Sequence, residues 1–374
     1  MSKSKSKSGS KEFTEAFFKS NKEYHYNLEE RAEDYLVSSG SMILDSVLGG
    51  GLGAGLHRFI GANEGGKTNE ALHVMFNMLK TVKNSKGLFV MAEGRLNNDI
   101  KERSGIKFVY DPSEWAVGTC LVFECHIMDT MVDFLRGLLR NNPDREKFCI
   151  VIDSMDGLIT KEDLEKSSSE ARKVAGGALM TSDFLKRISL GMSKFGHMCI
   201  MISQVRTNIN LNPYAKQDPN NQTNSSGGNA ILHYPDWILE FKKQNKGDKI
   251  LEKPNQQITH DNKIFGHNAK VVICKSTNET TGQIVTYPIK HGRINGRSIW
   301  IEREVIDMLL MWGYIEQSGA WYKLDEELLK HLKENGLETK EAYQGSQALY
   351  DFLEEDEKVT LSLTEFVKNK ILSK

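Results

Sequence analysis

Gly61-Ala62-Asn63-Glu64-Gly65-Gly66-Lys67-Thr68 fits the pattern G-x-x-x-x-G-K-[ST] at every position. It follows the apolar run 56–60 (LHRFI) and opens a stretch in which Ala71, Leu72, Met75 and Leu79 recur at helical spacing. Strand, glycine-rich loop and helix, in that order, are the context the motif requires. The glycines let the loop turn its N–H groups inward on phosphate oxygens, at the positive end of the helix. Lys67 would reach the β- and γ-phosphates, and the Thr68 hydroxyl would sit on Mg²⁺. The bland alternative, an ordinary glycine-rich turn, seldom arises between a strand and a helix with Lys-Thr at its end.

Downstream, 148–153 (FCIVID) is an apolar strand ending in an acid, followed by Ser154. Such an acid holds Mg²⁺ opposite a phosphate-binding loop. Alone this signal is common; paired with the loop it is specific. Between the two lies 88–93 (LFVMAE), a strand ending in Glu93. Strand C-termini line the ligand crevice of a parallel sheet, so Glu93 would sit near the γ-phosphate and could orient or deprotonate a water. Further apolar runs at 119–124, 198–203, 236–241, 270–275 and 283–289 read as strands. The amphipathic stretches 128–140 and 179–195 read as helices. The alternation predicts an α/β fold with a mostly parallel sheet covered on both faces.

Lys and Arg number 49 against 50 Asp and Glu among 374 residues, which excludes a histone-like basic protein and an acidic disordered tail protein. No run reaches the ~18 apolar residues of a membrane span. The five cysteines are an odd number lying mostly in apolar runs, as expected of free buried thiols in a reducing cytoplasm. Residues 1–11 (MSKSKSKSGSK) read as a disordered tail. From Glu12 a short helix carrying Phe13, Ala16 and Phe17 is followed by a polar linker to about residue 40, and its aromatic face needs a second surface. The stretch 242–268 reads as a polar linker, residues 41–324 as the core, and 325–374 as a small C-terminal helical domain.

Together these residues resemble the RecA-type DNA strand-exchange recombinases over roughly 38–322. Residues 39–51 (SGSMILDSVLGGG) look like the family's lead into its phosphate loop, and Met91-Ala92-Glu93 like its catalytic-glutamate motif. Val151-Ile152-Asp153-Ser154 is similar to its second Walker motif, and 201–206 (MISQVR) to the strand end where Gln204 senses the γ-phosphate. Residues 225–230 (SSGGNA) resemble the close of its second DNA loop, and Gly319-Ala320-Trp321-Tyr322 the segment that ends its core. The resemblance implies a RecA-like P-loop ATPase core with an N-terminal oligomerisation helix and ATP and Mg²⁺ as cofactors. Glu93, Lys67, Gln204 and Lys275 are the implied catalytic residues, with Lys275 acting from a neighbouring subunit. The implied nucleotide contacts are Gly61, Asn63, Glu64, Gly65, Gly66, Lys67, Thr68, Asn69, Asn97, Ile100 and Asp153. Thr68 and Asp153 would hold the metal.

The sequence also departs from the family. Ile100 stands where a tyrosine stacks on adenine, Ile273 replaces one of two lysines acting between subunits, and the acidic C-terminal tail is missing. These features suit a bacteriophage-encoded member in a bacterial or infected-host cytoplasm. The loop 205–228, with Arg206, Ile209, Lys216, Gly227 and Gly228, would bind single-stranded DNA without reading bases. The stretch 161–177, with Arg172 and Lys173, would form a second DNA loop, and Lys186 lies beyond it. The expected partners are single- and double-stranded DNA and further copies of the chain in a helical filament, with a mediator and a single-strand-binding protein compatible. A hexameric helicase or other DNA motor on the same core is the alternative function. A non-catalytic RecA-like scaffold is a third, disfavoured by the intact Lys67, Thr68, Glu93 and Asp153.

Overall fold

The computed structural model describes residues 8–22, 30–94, 96–165, 176–204, 206–207, 223–224, 230–252 and 262–372. Ten strands form one sheet: β1 Gly55–Gly61, β2 Ser85–Met91, β3 Lys107–Val109, β4 Thr119–Glu124, β5 Lys147–Asp153, β6 Met198–Gln204, β7 Trp237–Phe241, β8 Lys249–Leu251, β9 Ile264–Lys275 and β10 Ile284–Lys290. The order is β8-β9-β7-β1-β6-β5-β2-β4-β3, with β10 on the other side of β9. The strands from β7 to β3 run parallel, and β8, β9 and β10 add an antiparallel ribbon at one edge. All four motif strands therefore end at the same rim: β1, β2, β5 and β6.

Alternation along each strand builds two cores. Phe59, Phe89, Val151, Ile200 and Leu239 face one side and pack on Ala71, Leu72, Met75 and Met78 of the helix Lys67–Thr81. Leu88, Val90, Ile150, Ile152 and Met201 face the other and meet the helices Met128–Arg140 and Gly176–Phe195. A fully buried side chain of this kind contributes ~1.5–3 kcal/mol. The 3.6-residue period of the first helix holds the phosphate loop at its N-terminus against this sheet.

Three sequence expectations shift. The N-terminal helix spans Ser8–Ser20, so residues 8–11, read as tail, are helical; Thr14 Oγ1 donates to the Ser10 carbonyl at 2.7 Å within it. The polar stretch 242–268 contains β8 and the start of β9, while 253–261 lie outside the described residues. β8 is three residues long and 264–268 are mostly half-buried, so neither carries the apolar alternation that announces a strand. Nor does the packing divide at residue 325. Val305, Leu309 and Ile315 share a third core with Leu328, Leu349, Leu363 and Phe366, and Met42 joins them from the other end of the chain.

That joint is stapled by a buried acid. Glu304, fully buried, accepts the Met42 N–H at 2.8 Å and the Ser41 hydroxyl. Burial pushes its carboxyl up to about 7, and that of Glu70, bonded to the Tyr287 hydroxyl at 2.8 Å, up to about 8. Both folded values exceed the ordinary 4.5, so their stabilising protons are fully bound below that value and lost as pH rises through about 7 and about 8. Buried His73 and His197, held down to about 4 by desolvation, run the other way, but their effect is complete above their ordinary 6.5. Between pH of about 6.5 and about 8.5 the melting temperature should therefore fall. Glu304→Gln, which cannot ionise, should show a shallower fall in the same calorimetric series; parallel curves would mean Glu304 does not titrate there.

Candidate active site

The phosphate loop owes its shape to one close approach and one left-handed backbone conformation. Gly61 has φ +145°, and a Cβ there would lie 2.1 Å from the Phe241 carbonyl oxygen at the end of β7. Gly66 has φ +94° as the residue before the helix, and no side chain caps the helix N-terminus. Gly61→Ala should therefore displace the loop or β7 and weaken nucleotide binding, which equilibrium titration would measure; unchanged binding would show that the loop tolerates the shift.

Lys67, 8% exposed, donates from Nζ to the carbonyls of Gly61 at 2.9 Å and Ala62 at 2.7 Å. Burial lowers its pKa, and Asp153, Asp156 and Glu93 partly oppose that. The Thr68 hydroxyl donates to Asp153 Oδ2 at 2.8 Å. Asp153 is raised by burial and by Glu93, against the Thr68 bond and the Lys67 charge. A hydroxyl and a carboxylate side by side, at a helix N-terminus that no side chain caps, are the hard oxygen donors Mg²⁺ takes when phosphates complete its shell.

Glu93 stands just past the end of β2, its backbone N–H 3.3 Å from the Asp153 carbonyl. Its Oε1 accepts the Ser154 hydroxyl and, at 3.4 Å, Gln204 Nε2. Gln204 is itself held by a 2.6 Å bond from its N–H to Asp156 Oδ2. Lys67, Thr68, Glu93, Asp153 and Gln204, named from separate parts of the sequence, thus meet at one rim. Ser154 stood in the Walker-like motif without a role of its own, and Asp156 was not foreseen; its only signal was proximity to the acid at 153.

The matching family model describes the RecA N-terminal domain, and it spans residues 22–289. The chain belongs to the RecA family. It is 26% identical over 302 residues to protein RecA of Oleidesulfovibrio alaskensis, covering 80% of this chain and 76% of that protein. Protein RecA of Bacillus anthracis is 25% identical over 301 residues, with 80% and 77% covered. That of Mesoplasma florum is 24% identical over 352 residues, with 92% and 90% covered. Family model and relatives agree on a RecA-type recombination protein and do not favour the helicase alternative.

Other family positions fall differently. Asn63 and Glu64 are exposed on the loop, Gly65 is buried against β7, and Asn69 is half-buried on the first turn of the helix. Asn97 caps the helix Asn98–Ser104, its side chain accepting the Ile100 N–H at 2.8 Å. Ile100, expected at the base, instead packs against the first core. The cavity of about 240 Å³ beside the loop is lined from that helix by Asp99 and Arg103. Lys275 lies apart from the site in its own chain: it pairs with Ile238 near the start of β7, and its Nζ bonds the His233 carbonyl at 2.6 Å. Lys186 is exposed on Gly176–Phe195. Arg206 lies in the short strand Arg206–Thr207 that pairs with Thr223–Asn224 just past β6. Arg172, Lys173, Ile209, Lys216, Gly227 and Gly228 lie outside the described residues. Among the described residues no helix is long and apolar enough to cross a membrane, and no cluster of three His, Cys, Asp or Glu could hold a metal. All five cysteines are free, and four are buried.

Proposed function

We propose that the protein is a DNA-dependent ATPase that polymerises on single-stranded DNA and exchanges it with a homologous duplex. The observation carrying this reading is the hydrogen bond between Gln204 and Glu93, because Gln204 is the last residue of β6 and immediately precedes the loop 205–228. In this reading Lys67 and the loop N–H groups hold the triphosphate, while Thr68 and Asp153 hold Mg²⁺. Glu93 orients the attacking water and accepts its proton. Gln204 bonds the γ-phosphate when it is present and Glu93 when it is not, so nucleotide state reaches the root of the DNA loop. Bound ATP holds the filament active, and hydrolysis releases DNA. Lys275 would act on the next subunit's nucleotide. The test is phosphate release with and without single-stranded DNA, beside negative-stain images of protein, ATP and DNA together. Rings, or hydrolysis indifferent to DNA, would overturn the reading.

Assembly would run through the N-terminal helix. Phe13 and Phe17 are 70% and 49% exposed, with ring centroids 6.1 Å apart on one face. Covering both on a neighbour would contribute ~3–6 kcal/mol before ordering costs. Phe13→Ala with Phe17→Ala should abolish long filaments and cooperative DNA binding while leaving the melting temperature unchanged. Normal filaments from a destabilised variant would sink subunit docking.

A further inference from the structure

A basic groove lies at the end of the sheet away from the phosphate loop. It is a cavity of about 860 Å³ lined by the helices Met128–Arg140 and Gly176–Phe195 and by Lys147, the first residue of β5. The six residue steps of β5 put it about 20 Å from Asp153 at the rim. The linker closes one wall: the Ala32 N–H donates to the Lys194 carbonyl at 3.0 Å, and the Tyr35 hydroxyl to that of Gly196 at 2.9 Å. Seven cations and two carboxylates stand among the described lining residues, in a chain whose formal charge is −1. Both carboxylates, Glu30 and Glu33, belong to the linker. The core supplies Arg136, Arg140, Arg145, Lys147 and Arg187 and no acid.

Arg145 pairs with Glu30, and Arg187 with Asp183 at 2.7 Å. Arg136, Arg140 and Lys147 make no ion pair among the described residues, although Arg136 and Lys147 are half-buried. Like charges gathered this way repel one another and lose part of their hydration, so the surface is complementary to an anion. Its apolar side is Leu139, Ile188 and Phe195. Arg136, Leu139 and Arg140 fall at i, i+3 and i+4 of one helix, and Ile188, Gly191 and Phe195 at i, i+3 and i+7 of the other, so each helix gives the groove one face. The second stripe runs about 10 Å, the reach of an extended segment of about three residues. We propose that the groove binds an acidic peptide segment of a partner protein, whose carboxylates meet Arg136, Arg140 and Lys147 while one aromatic or long aliphatic side chain covers Leu139, Ile188 and Phe195. Arginine suits this task, because its planar fork takes a carboxylate through two hydrogen bonds. Nucleic acid fits less well: a duplex is wider than the space between two packed helices, and a phosphate backbone leaves the apolar residues uncovered. At its distance from the rim, an occupant leaves the nucleotide site free.

The test titrates the full chain, without nucleotide, into a fluorescein-labelled peptide that sets one phenylalanine among glutamates and aspartates, and follows anisotropy. The parent should bind it, more weakly as salt rises. An analogue with glutamine and asparagine for the acids should bind at least about tenfold less tightly, and so should one with alanine for the phenylalanine. Arg136→Gln with Arg140→Gln should weaken the original peptide at least about tenfold, while melting temperature and basal ATP hydrolysis stay at the parent's values. A thymidine oligonucleotide of matched charge should not displace the peptide. Displacement by it would assign the groove to nucleic acid and overturn the proposal. So would a parent that binds no peptide, or binding indifferent to the phenylalanine or to the two arginines. A double variant with a lowered melting temperature would show that the arginines hold the fold, and would count against a docking role; the two peptide analogues, read on the unaltered chain, still decide.

Discussion

Lys67→Ala should lower nucleotide affinity and hydrolysis by orders of magnitude while leaving the fold intact. Lys67 is 8% exposed, and burial already presses its pKa down. A charge so far removed from water interacts strongly with the next charge brought to it. Among the described residues its hydrogen-bond partners are the Gly61 and Ala62 carbonyls of its own loop, so its loss unsettles little else. Alanine is also the best helix former, and position 67 opens a helix. Binding of a fluorescent ATP analogue and DNA-stimulated phosphate release are the measurements, with thermal unfolding as the control. Hydrolysis within a few-fold of the parent would remove Lys67, and with it the loop, from the phosphate site.

What the sequence disclosed depended on how local each signal was. The phosphate loop was legible because strand, turn and helix follow one another within 61–81, and each residue type answers to one requirement of phosphate binding. Met128–Arg140 was bounded correctly because its apolar face repeats over more than three turns. The ribbon of β8 and the first half of β9 was not, because β8 is three residues long and 264–270 are mostly half-buried without alternation. The helix Asn98–Ser104 beside the phosphate loop was harder to orient for a subtler reason. Asn98–Ser104 is two turns long, and its rotation is set by Asn97 capping it, which turns Ile100 to the core and Asp99 and Arg103 to the cavity. A periodicity needs more turns than that to fix which face is inside. Glu70 and His73 look in sequence like the polar side of an amphipathic helix, yet both are buried beneath a wall made by residues 267–298. Long-range closure of that kind leaves no mark within a window of sequence.

Glu93→Gln separates chemistry from binding, and it should keep ATP while slowing hydrolysis by roughly 10²–10⁴-fold, the usual worth of a general base. The substitution is nearly isosteric. Its amide oxygen can still accept the Ser154 hydroxyl and Gln204 Nε2, the two bonds that now hold the carboxylate between β5 and β6. What it loses is the capacity to take a proton. Nothing that holds the triphosphate changes, because Lys67 and Thr68 come from the loop and its helix and Asp153 from β5. With hydrolysis stalled, the γ-phosphate contact that competes with Glu93 for Gln204 persists, so filaments on single-stranded DNA should outlive those of the parent once free ATP is removed. Filament lifetime after ATP removal, set beside single-turnover hydrolysis, reads both halves. Loss of ATP binding would show that Glu93 serves to brace the rim rather than to react. Slow hydrolysis with filaments that fall apart at the parent's rate would break the proposed link from nucleotide through Gln204 to the DNA loop.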